Sequence, residues 1–204
     1  MAYSSDIAFT DVVKSIQSRK GSRDLYAQME QNGSWDTEIM PDIAAYIADQ
    51  QSFFLATANA EGQPYIQHRG GPVGFLKVLD KKTLAFADFK GNKQFISQGN
   101  LSENSKSFIF LIDYTNRTRV KIWGTAKIVE DDTQLLTELM PEDGTYRARP
   151  EQVLKFTVEA LDRNCPQHIP QRFERNDVER MLSEKDAQIA QLEERIRTLT
   201  MKTE

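Results

Sequence analysis

Short apolar segments with alternating hydrophobic and polar positions follow one another between residues 52 and 161. The segments SFFLATANAEGQPYIQHR and GFLKVLDKKTLAFAD each place two apolar stretches around a turn of small and polar residues, as hairpins do. SFIFLIDY and RTRVKIWGTAKIVED form a further apolar pair, and VLKFTVEALD alternates in the same way. Because most connections are short, the pattern predicts a six-stranded antiparallel barrel or sandwich. Gly124, inside one strand, predicts a bulge or a bend.

Helices are predicted before these strands. In FTDVVKSIQSRKGS, Thr10 is placed to cap a short helix and Gly21 to end it. In PDIAAYIADQ, Pro41 lies in the first helical turn, and Ile43 and Ile47 are four residues apart. The fold class is therefore mainly β with flanking helices.

The last part of the sequence has a different hydrophobic period. From residue 178 the seam positions are separated by four and three residues in turn, which is a heptad pattern about three repeats long. These positions are Val178, Leu182, Lys185, Ile189, Leu192, Ile196 and Leu199. The pattern predicts a C-terminal amphipathic helix that forms a parallel coiled coil. A solvated helix folded back on the barrel is the alternative, because Lys185 interrupts the seam.

These patterns divide the 204 residues into three parts. We expect an N-terminal helical segment at 1–34, a barrel domain at 35–172 and a heptad helix at 173–204. No apolar run is long enough to span a bilayer, and no secretory signal is visible. With one cysteine and two histidines, the chain offers a poor zinc site and no internal disulfide. We therefore expect a cytoplasmic protein without a metal or a membrane contact.

The net charge of −4 argues against nucleic acid as a partner, since nucleic-acid-binding domains usually carry a basic excess. Positive charge is nevertheless concentrated around two glycine-rich stretches, RGGPVG and FKGNKQ. In the first, Gly70 and Gly71 let the backbone approach a ligand, and Arg69 offers a planar set of donors for a phosphate. The second can begin a helix whose free N–H groups face an anion. Ordinary turn chemistry explains the same glycines equally well.

The order of these segments resembles the flavin-binding split barrels related to pyridoxamine 5'-phosphate oxidase. The similarity covers roughly residues 35 to 170, and its most specific parts are RGGPVGF, GNKQFISQGN and NCPQHIP. The resemblance implies a six-stranded split β-barrel. It also implies a homodimer that holds FMN non-covalently at the subunit interface.

The same resemblance implies roles for individual residues. In the family, an aromatic-Thr-Asn stretch that lines the flavin is followed by a Ser-Arg-Lys loop that holds its phosphate, and FADFKGNK occupies that place here. Lys93 is the one identical match, and Arg69 compensates for the arginine missing at Asn92. A family glutamine corresponds to Arg119. The flavin-lining and phosphate-holding positions implied are Phe86, Ala87, Asp88, Gly91, Asn92 and Lys93.

One stretch after the predicted barrel, NCPQHIPQR, carries mixed polar groups between two prolines. Gln167 and His168 are candidates for donors to the flavin, and His168 is also a candidate for a proton shuttle. A loop histidine bonded to the backbone is the alternative interpretation. Cys165 is either a reactive thiol or, as we expect, a small buried hydrophobe.

Function is expected from the cofactor more than from any motif of the chain. The Arg-x-His-Asp-Arg signature of the pyridoxamine phosphate oxidases is absent, so vitamin B6 oxidation is not expected. The resemblance implies an FMN-dependent oxidoreductase that acts on a small molecule, and no catalytic residue is assigned. The alternative is a non-catalytic flavin or tetrapyrrole binder that recruits a partner through its C-terminal helix.

Overall fold

The computed structural model describes residues 3–141, 146–164 and 166–201. The chain divides into two compact units, Met1–Ile112 with Arg119–Cys165, and Asp113–Thr118 with Pro166–Glu204. Cys165 itself lies outside the described residues, so its role stays a prediction.

The fold is mainly β, with helices on either side of the strands in sequence. The helical elements are a 3-10 helix at Ser4–Ile7, α1 at Asp11–Lys20, α2 at Arg23–Gln31, α3 at Pro41–Ala48, α4 at Ile96–Glu103, α5 at Thr133–Glu138 and α6 at Arg175–Thr200. The strands are β1 at Ser52–Ala58, β2 at Pro64–Gly70, β3 at Lys77–Asp80, β4 at Thr83–Phe89, β5 at Lys106–Asp113, β6 at Thr118–Val129 and β7 at Pro150–Asn164.

One antiparallel sheet contains these strands in the order β2-β1-β5-β6-β7-β4-β3. The sheet has seven strands, so the expected count of six is wrong. The short strand β3 has four residues and is an edge strand that pairs with β4. Each of the seven apolar stretches of the sequence forms one strand among the described residues, and GFLKVLD, which contains β3, is one of them. The count of six was therefore one too low, although the stretches themselves are the strands of the sheet.

The helix signals in the sequence are confirmed by the geometry of the helix ends. The Thr10 hydroxyl accepts a hydrogen bond from the Val13 N–H at 3.3 Å. Gly21 ends α1 with a φ of 78°, in the left-handed region that glycine adopts without strain. In α3, Ile43 and Ile47 are both buried, as their spacing of four residues predicts.

The main core fills the concave face of the sheet. Its inward positions alternate with outward ones along β1, β5 and β6. The large side chains that are fully buried there are Phe53, Leu55, Leu84, Phe86, Ile109, Leu111, Val120, Ile122, Leu154 and Phe156. A second, smaller cluster lies on the other face of β4 and β7, where Ala85, Ala87 and Val153 pack with Leu139.

Gly124 confirms the predicted bulge in β6. The pairing of β6 with β7 shifts register between Trp123 and Gly124. A Cβ atom at Gly124 would fall 2.0 Å from the Thr157 carbonyl oxygen and 2.7 Å from the Phe156 ring. The close approach of the β7 backbone therefore requires glycine here.

The second unit joins a turn to the C-terminal helix. Thr115 donates from its hydroxyl to the Arg172 carbonyl oxygen at 2.9 Å, and Gln171 donates from its side chain to the Thr115 carbonyl oxygen at 3.0 Å. The Arg172 guanidinium lies 4.4 Å from the centre of the Tyr114 ring. None of the described residues of α6 is buried. No described helix is long and apolar enough to cross a bilayer.

Candidate functional site

Three polar side chains of β2 lie on the inner face of the sheet. Residues directly opposite each other in an antiparallel pair share a face, and Arg69 is opposite Phe53, Gln67 opposite Leu55. Both partners in β1 are buried core residues. By the same pairing Tyr65 is opposite the buried Thr57. The edge strand β2 therefore presents a polar row toward the interior, where β1 presents mainly apolar side chains.

A polar end of the interior is also formed by β4 and β7. Along their pairing, Leu84 is opposite Phe156 and Phe86 is opposite Leu154, but Asp88 is opposite Gln152. The Gln152 side-chain amide donates to Asp88 Oδ2 at 3.0 Å. Along β4, the side chains that face the interior thus change from apolar at Leu84 and Phe86 to polar at Asp88.

An ion pair joins these two polar regions. The Arg69 guanidinium of β2 binds the Asp88 carboxylate of β4, although β2 and β4 are far apart in the strand order. The sheet must therefore curl so that β2 and β4 face each other, and the pair bridges the opening between them. Both side chains are largely buried, with exposed fractions of 14% and 12%.

Arg69 retains an unused donor. Its Nε atom is buried and has no hydrogen-bond partner among the described residues. Its guanidinium carbon lies 5.7 Å from the centre of the Phe86 ring, within the range of a cation–π contact. A buried donor without a partner costs free energy, so a ligand acceptor beside Arg69 would recover that cost.

Helix α4 starts at the same opening. Its first turn is attached to β2, because the Ser97 hydroxyl donates to Gln67 Oε1 at 2.8 Å. Asn100 donates to Thr57 Oγ1 at 3.0 Å and attaches the next turn. No described side chain caps the N-terminus of α4, where Phe95 occupies the cap position with a φ of 53°. An uncapped helix start leaves main-chain N–H groups available to an anion.

The loop before α4 contributes a second cation. Lys93 is exposed, and no ion pair involves it within the described part of the chain. Lys93 and Phe95 both have positive φ values, of 61° and 53°, which are uncommon for residues other than glycine. The side-chain oxygen Oδ1 of Asn92 accepts a hydrogen bond from the Gln94 N–H at 3.2 Å. The Asn92 side chain therefore holds the loop together.

These elements line an open cleft. Its lining comes from β2, from the end of β4, from the loop and first turn of α4, and from the start of β7. The lining residues are Tyr65, Gln67, Arg69, Asp88, Phe89, Gly91, Asn92, Lys93, Gln94, Phe95, Ile96, Ser97, Gln98, Glu151 and Gln152. A neighbouring cavity shares Arg69, Asp88 and Phe89 with the cleft and adds His68, Gly70, Phe75, Phe86 and Ala87.

The structure brings most of the site residues predicted from the sequence to these two spaces. Arg69, Asp88, Gly91, Asn92 and Lys93 line the cleft. Gly70, Phe86 and Ala87 line the neighbouring cavity, where Phe86 is buried in the main core and Ala87 in the second cluster. Two distant glycine-rich stretches of the sequence thus meet at one opening.

Two predicted residues lie elsewhere in the first unit. A Cβ atom at Gly71 would fall 2.6 Å from Cγ of Phe75, so packing against that ring accounts for this glycine. Arg119 is opposite Asn164 in the β6–β7 pair, and its buried Nε has no partner among the described residues. Neither residue is among those that line the cleft. Their assignment to the cofactor stays a prediction.

Gln167 and His168 belong to the second unit. Both are exposed, and His168 has a φ of 64°, as expected for a turn. The neighbouring Pro166 accepts a hydrogen bond at its carbonyl oxygen from Arg117 at 3.3 Å, and Gln171 and Arg172 are bonded to the turn at Thr115. These contacts give part of NCPQHIPQR a structural role. The proposed contact of Gln167 and His168 with a flavin stays a prediction.

Sequence reasoning missed the neutral polar side chains of the cleft. Tyr65 and Gln67 could have been found, because they alternate with Ile66 and therefore share the face of Arg69. Ser97, Gln98 and Gln152 have no comparable signal. Gln152 reaches the cleft only through the register of β7 against β4, which one sequence does not reveal.

Comparisons with known proteins agree with this fold. The family model for pyridoxamine 5'-phosphate oxidase matches residues 39–165. The crystal structure of HupZ from Group A Streptococcus is similar with a TM-score of 0.50 and 19% identity, over 66% of this chain and 99% of that one. An FMN-binding protein from Syntrophomonas wolfei is similar with a TM-score of 0.48 and 14% identity, over 72% and 97% of the two chains. A comparison with curated proteins gives no match.

Proposed function

Since the chain belongs to the pyridoxamine 5'-phosphate oxidase family, we propose that the cleft between β2 and β4 binds FMN. We further propose that the protein is a homodimer and an oxidoreductase that acts on a small molecule. One observation carries the proposal. The buried Arg69 guanidinium, with its unused Nε, lies in a cleft that also contains the uncapped start of α4.

The donor set of the cleft fits a phosphate group. Lys93 supplies an unpaired charge, and the first turn of α4 supplies main-chain N–H groups. Arg69 supplies a guanidinium, which binds phosphate oxygens through parallel hydrogen bonds. Hydrogen bonds that involve a charged group contribute about 1.5–3 kcal/mol each, so the loss of any one of them should weaken binding measurably.

The acidic residues of the cleft set a limit on that affinity. Asp88 and Glu151 line the cleft together with Arg69 and Lys93, so the two signs balance. The Asp88 charge is compensated by Arg69. Of the two cations that line the cleft, Lys93 is the one that makes no ion pair with the described residues. We therefore propose that Lys93 and the α4 N–H groups bind the phosphate, and that Arg69 shares its guanidinium between Asp88 and the ligand.

The neighbouring cavity is the proposed place for the flavin ring. Phe75 and Phe86 give it an apolar wall. Gln67 and Gln152 offer amide groups at the cleft for polar atoms of the ligand. These side chains orient a ring and exclude water from one side of it. When bound, FMN itself supplies the redox chemistry, which protein side chains do not.

A homodimer gives Arg119 a role. Its guanidinium makes no ion pair among the described residues, and it does not line the cleft of its own chain. We propose that in a homodimer with FMN at the interface, Arg119 reaches the flavin bound by the other copy. Pairing of the C-terminal helices reinforces the same dimer.

The visible spectrum of the freshly purified protein tests the cofactor. The proposal predicts a flavin double band, or its appearance with saturation when FMN is added to the flavin-free protein. A single intense Soret band after incubation with haem, without any response to FMN, would favour the tetrapyrrole-binding alternative and contradict the proposal.

Turnover tests the proposed activity separately. Under anaerobic conditions, reduced nicotinamide should bleach the bound flavin, and an added small-molecule acceptor should restore the oxidised spectrum. A protein that binds FMN but keeps it oxidised with every reductant tried is a flavin carrier, and the oxidoreductase part of the proposal is then wrong.

A further inference from the structure

The helix α6 carries an apolar stripe along one side, which Lys185 interrupts once. Its seam residues are each about half exposed, from 40% at Val178 to 63% at Ile196. The helix has 26 residues, long enough for more than three heptads. An apolar stripe of this length on an exposed helix is typical of an interaction surface.

The seam residues favour a two-stranded assembly. In the heptad that fits the stripe, Leu182, Ile189 and Ile196 take the a positions, and Leu192 and Leu199 take d positions. Isoleucine at a with leucine at d favours parallel dimers over trimers and tetramers. Lys185, at a further d position, costs stability but limits the number of acceptable registers.

The charges beside the seam determine the orientation. One flank, at the e positions, is acidic throughout, with Glu179, Asp186 and Glu193. The other flank, at the g positions, contains no acid and consists of Met181, Gln188 and Arg195. Two copies in parallel bring the acidic flank of one helix to the non-acidic flank of the other. Two antiparallel copies would bring the acidic flanks together, and like charges at that distance repel.

The charges beside the seam therefore disfavour the antiparallel arrangement of two copies and are compatible with the parallel one. We propose that α6 pairs with α6 of a second copy as a parallel, in-register coiled coil. The inference rests on the proposed homodimer and deepens it by giving the paired helices an orientation and a register, and the pairing itself needs no flavin. A coiled coil of three heptads is short, so its stability depends on the high effective concentration that a second contact between the same two chains provides.

Disulfide trapping in the full-length chain tests the orientation. The native cysteine is first removed by Cys165→Ser, and the protein is checked for an unchanged circular dichroism spectrum. Leu199→Cys is then introduced at a d position, and Thr198→Cys at an outward position serves as the matched control. Under mild oxidation, the Leu199→Cys chain should form covalent dimers several-fold faster than the control.

A mixture of two variants distinguishes the other arrangements. Val178→Cys should link to Val178→Cys, and Leu199→Cys to Leu199→Cys, whereas mixed links between the two positions should be rare. Mixed links in excess would show an antiparallel pair and overturn the proposal. Equal linking of Leu199→Cys and Thr198→Cys, or no linking of either, would also overturn it.

A seam variant provides an independent check. Ile189→Lys in the Leu199→Cys chain should abolish the fast linking, because it places a second charge in the seam. Gln191→Lys, on the outward face of the same turn, should leave it unchanged. Fast linking that survives Ile189→Lys would show that random encounter, and not the seam, brings the cysteines together.

Discussion

The two ends of the barrel interior differ sharply, although the same strands build both. At one end Leu84, opposite Phe156, is completely buried. At the other end the same strands place Asp88 opposite Gln152, and Arg69 reaches across from β2. The apolar end holds the sheet together by close packing, whereas the polar end keeps hydrogen-bonding groups for a ligand. These two pairs of residues lie only four positions apart along each strand.

The largest effect is expected at the apolar end. Phe156→Ala should lower the free energy of unfolding by about 3–5 kcal/mol, because it empties a fully buried position. Urea unfolding of the flavin-free protein measures this effect at a fixed protein concentration. Val73→Ala is the control, since Val73 is 59% exposed, and it should change the free energy by less than about 0.5 kcal/mol. A similar small loss for Phe156→Ala would mean that packing is not concentrated at this end.

At the polar end, the two members of the ion pair should separate stability from binding. Arg69→Met and Asp88→Asn should each destabilise the flavin-free protein, the first by about 2–4 kcal/mol, because a largely buried charge loses its partner. Their effects on FMN should be opposite. Arg69→Met removes a phosphate donor and weakens binding about tenfold or more, whereas Asp88→Asn removes a competing carboxylate and strengthens it.

Urea unfolding and FMN titration followed by flavin fluorescence measure the two quantities. If both variants weaken FMN binding to the same extent, the ion pair acts as one structural unit. The polar end would then be structural as well, and its assignment to ligand binding would be wrong.

A smaller effect is expected where α4 is attached to β2. Ser97→Ala should cost about 1 kcal/mol of stability, because it removes the hydrogen bond to Gln67, and it should weaken FMN binding modestly by loosening the helix start. Ser102→Ala is the matched control on the same helix, since Ser102 is exposed. Thermal unfolding and FMN titration measure both. An equal effect of the two substitutions would show that the attachment of the helix start does not matter.

Much of the fold could be predicted from the sequence, because strand alternation and helix caps are local signals. Thr10, Gly21, Pro41 and Gly124 each have the structural position that their residue type predicts. The strands themselves were accessible too, since each of the seven apolar stretches of the sequence forms one of them, and the expected count of six was one too low. The register of β7 against β4, which brings Gln152 to the cleft, depends on contacts between distant parts of the chain and could not be predicted.

The candidate site was predictable in part. Arg69 and Lys93 were identified from positive charge beside glycines and Asp88 from the family resemblance, and the structure places all of them at one cleft. Gly71 was assigned to a ligand, whereas its contact with Phe75 gives it a packing role. Ser97, Gln98 and Gln152 were missed because a neutral polar residue becomes part of a site only through tertiary structure.

The most direct test of the central claim compares FMN with riboflavin, which lacks the phosphate. Lys93→Ala should weaken FMN binding about fivefold, less than a buried charged contact would, because Lys93 is exposed. Riboflavin binding should be unchanged. Lys90→Ala, an exposed lysine outside the cleft lining, should affect neither ligand. Six dissociation constants from fluorescence titrations, for the unsubstituted protein and the two variants with each ligand, decide the question. Equal effects of Lys93→Ala on FMN and riboflavin, or none on either, would contradict a phosphate site at this cleft.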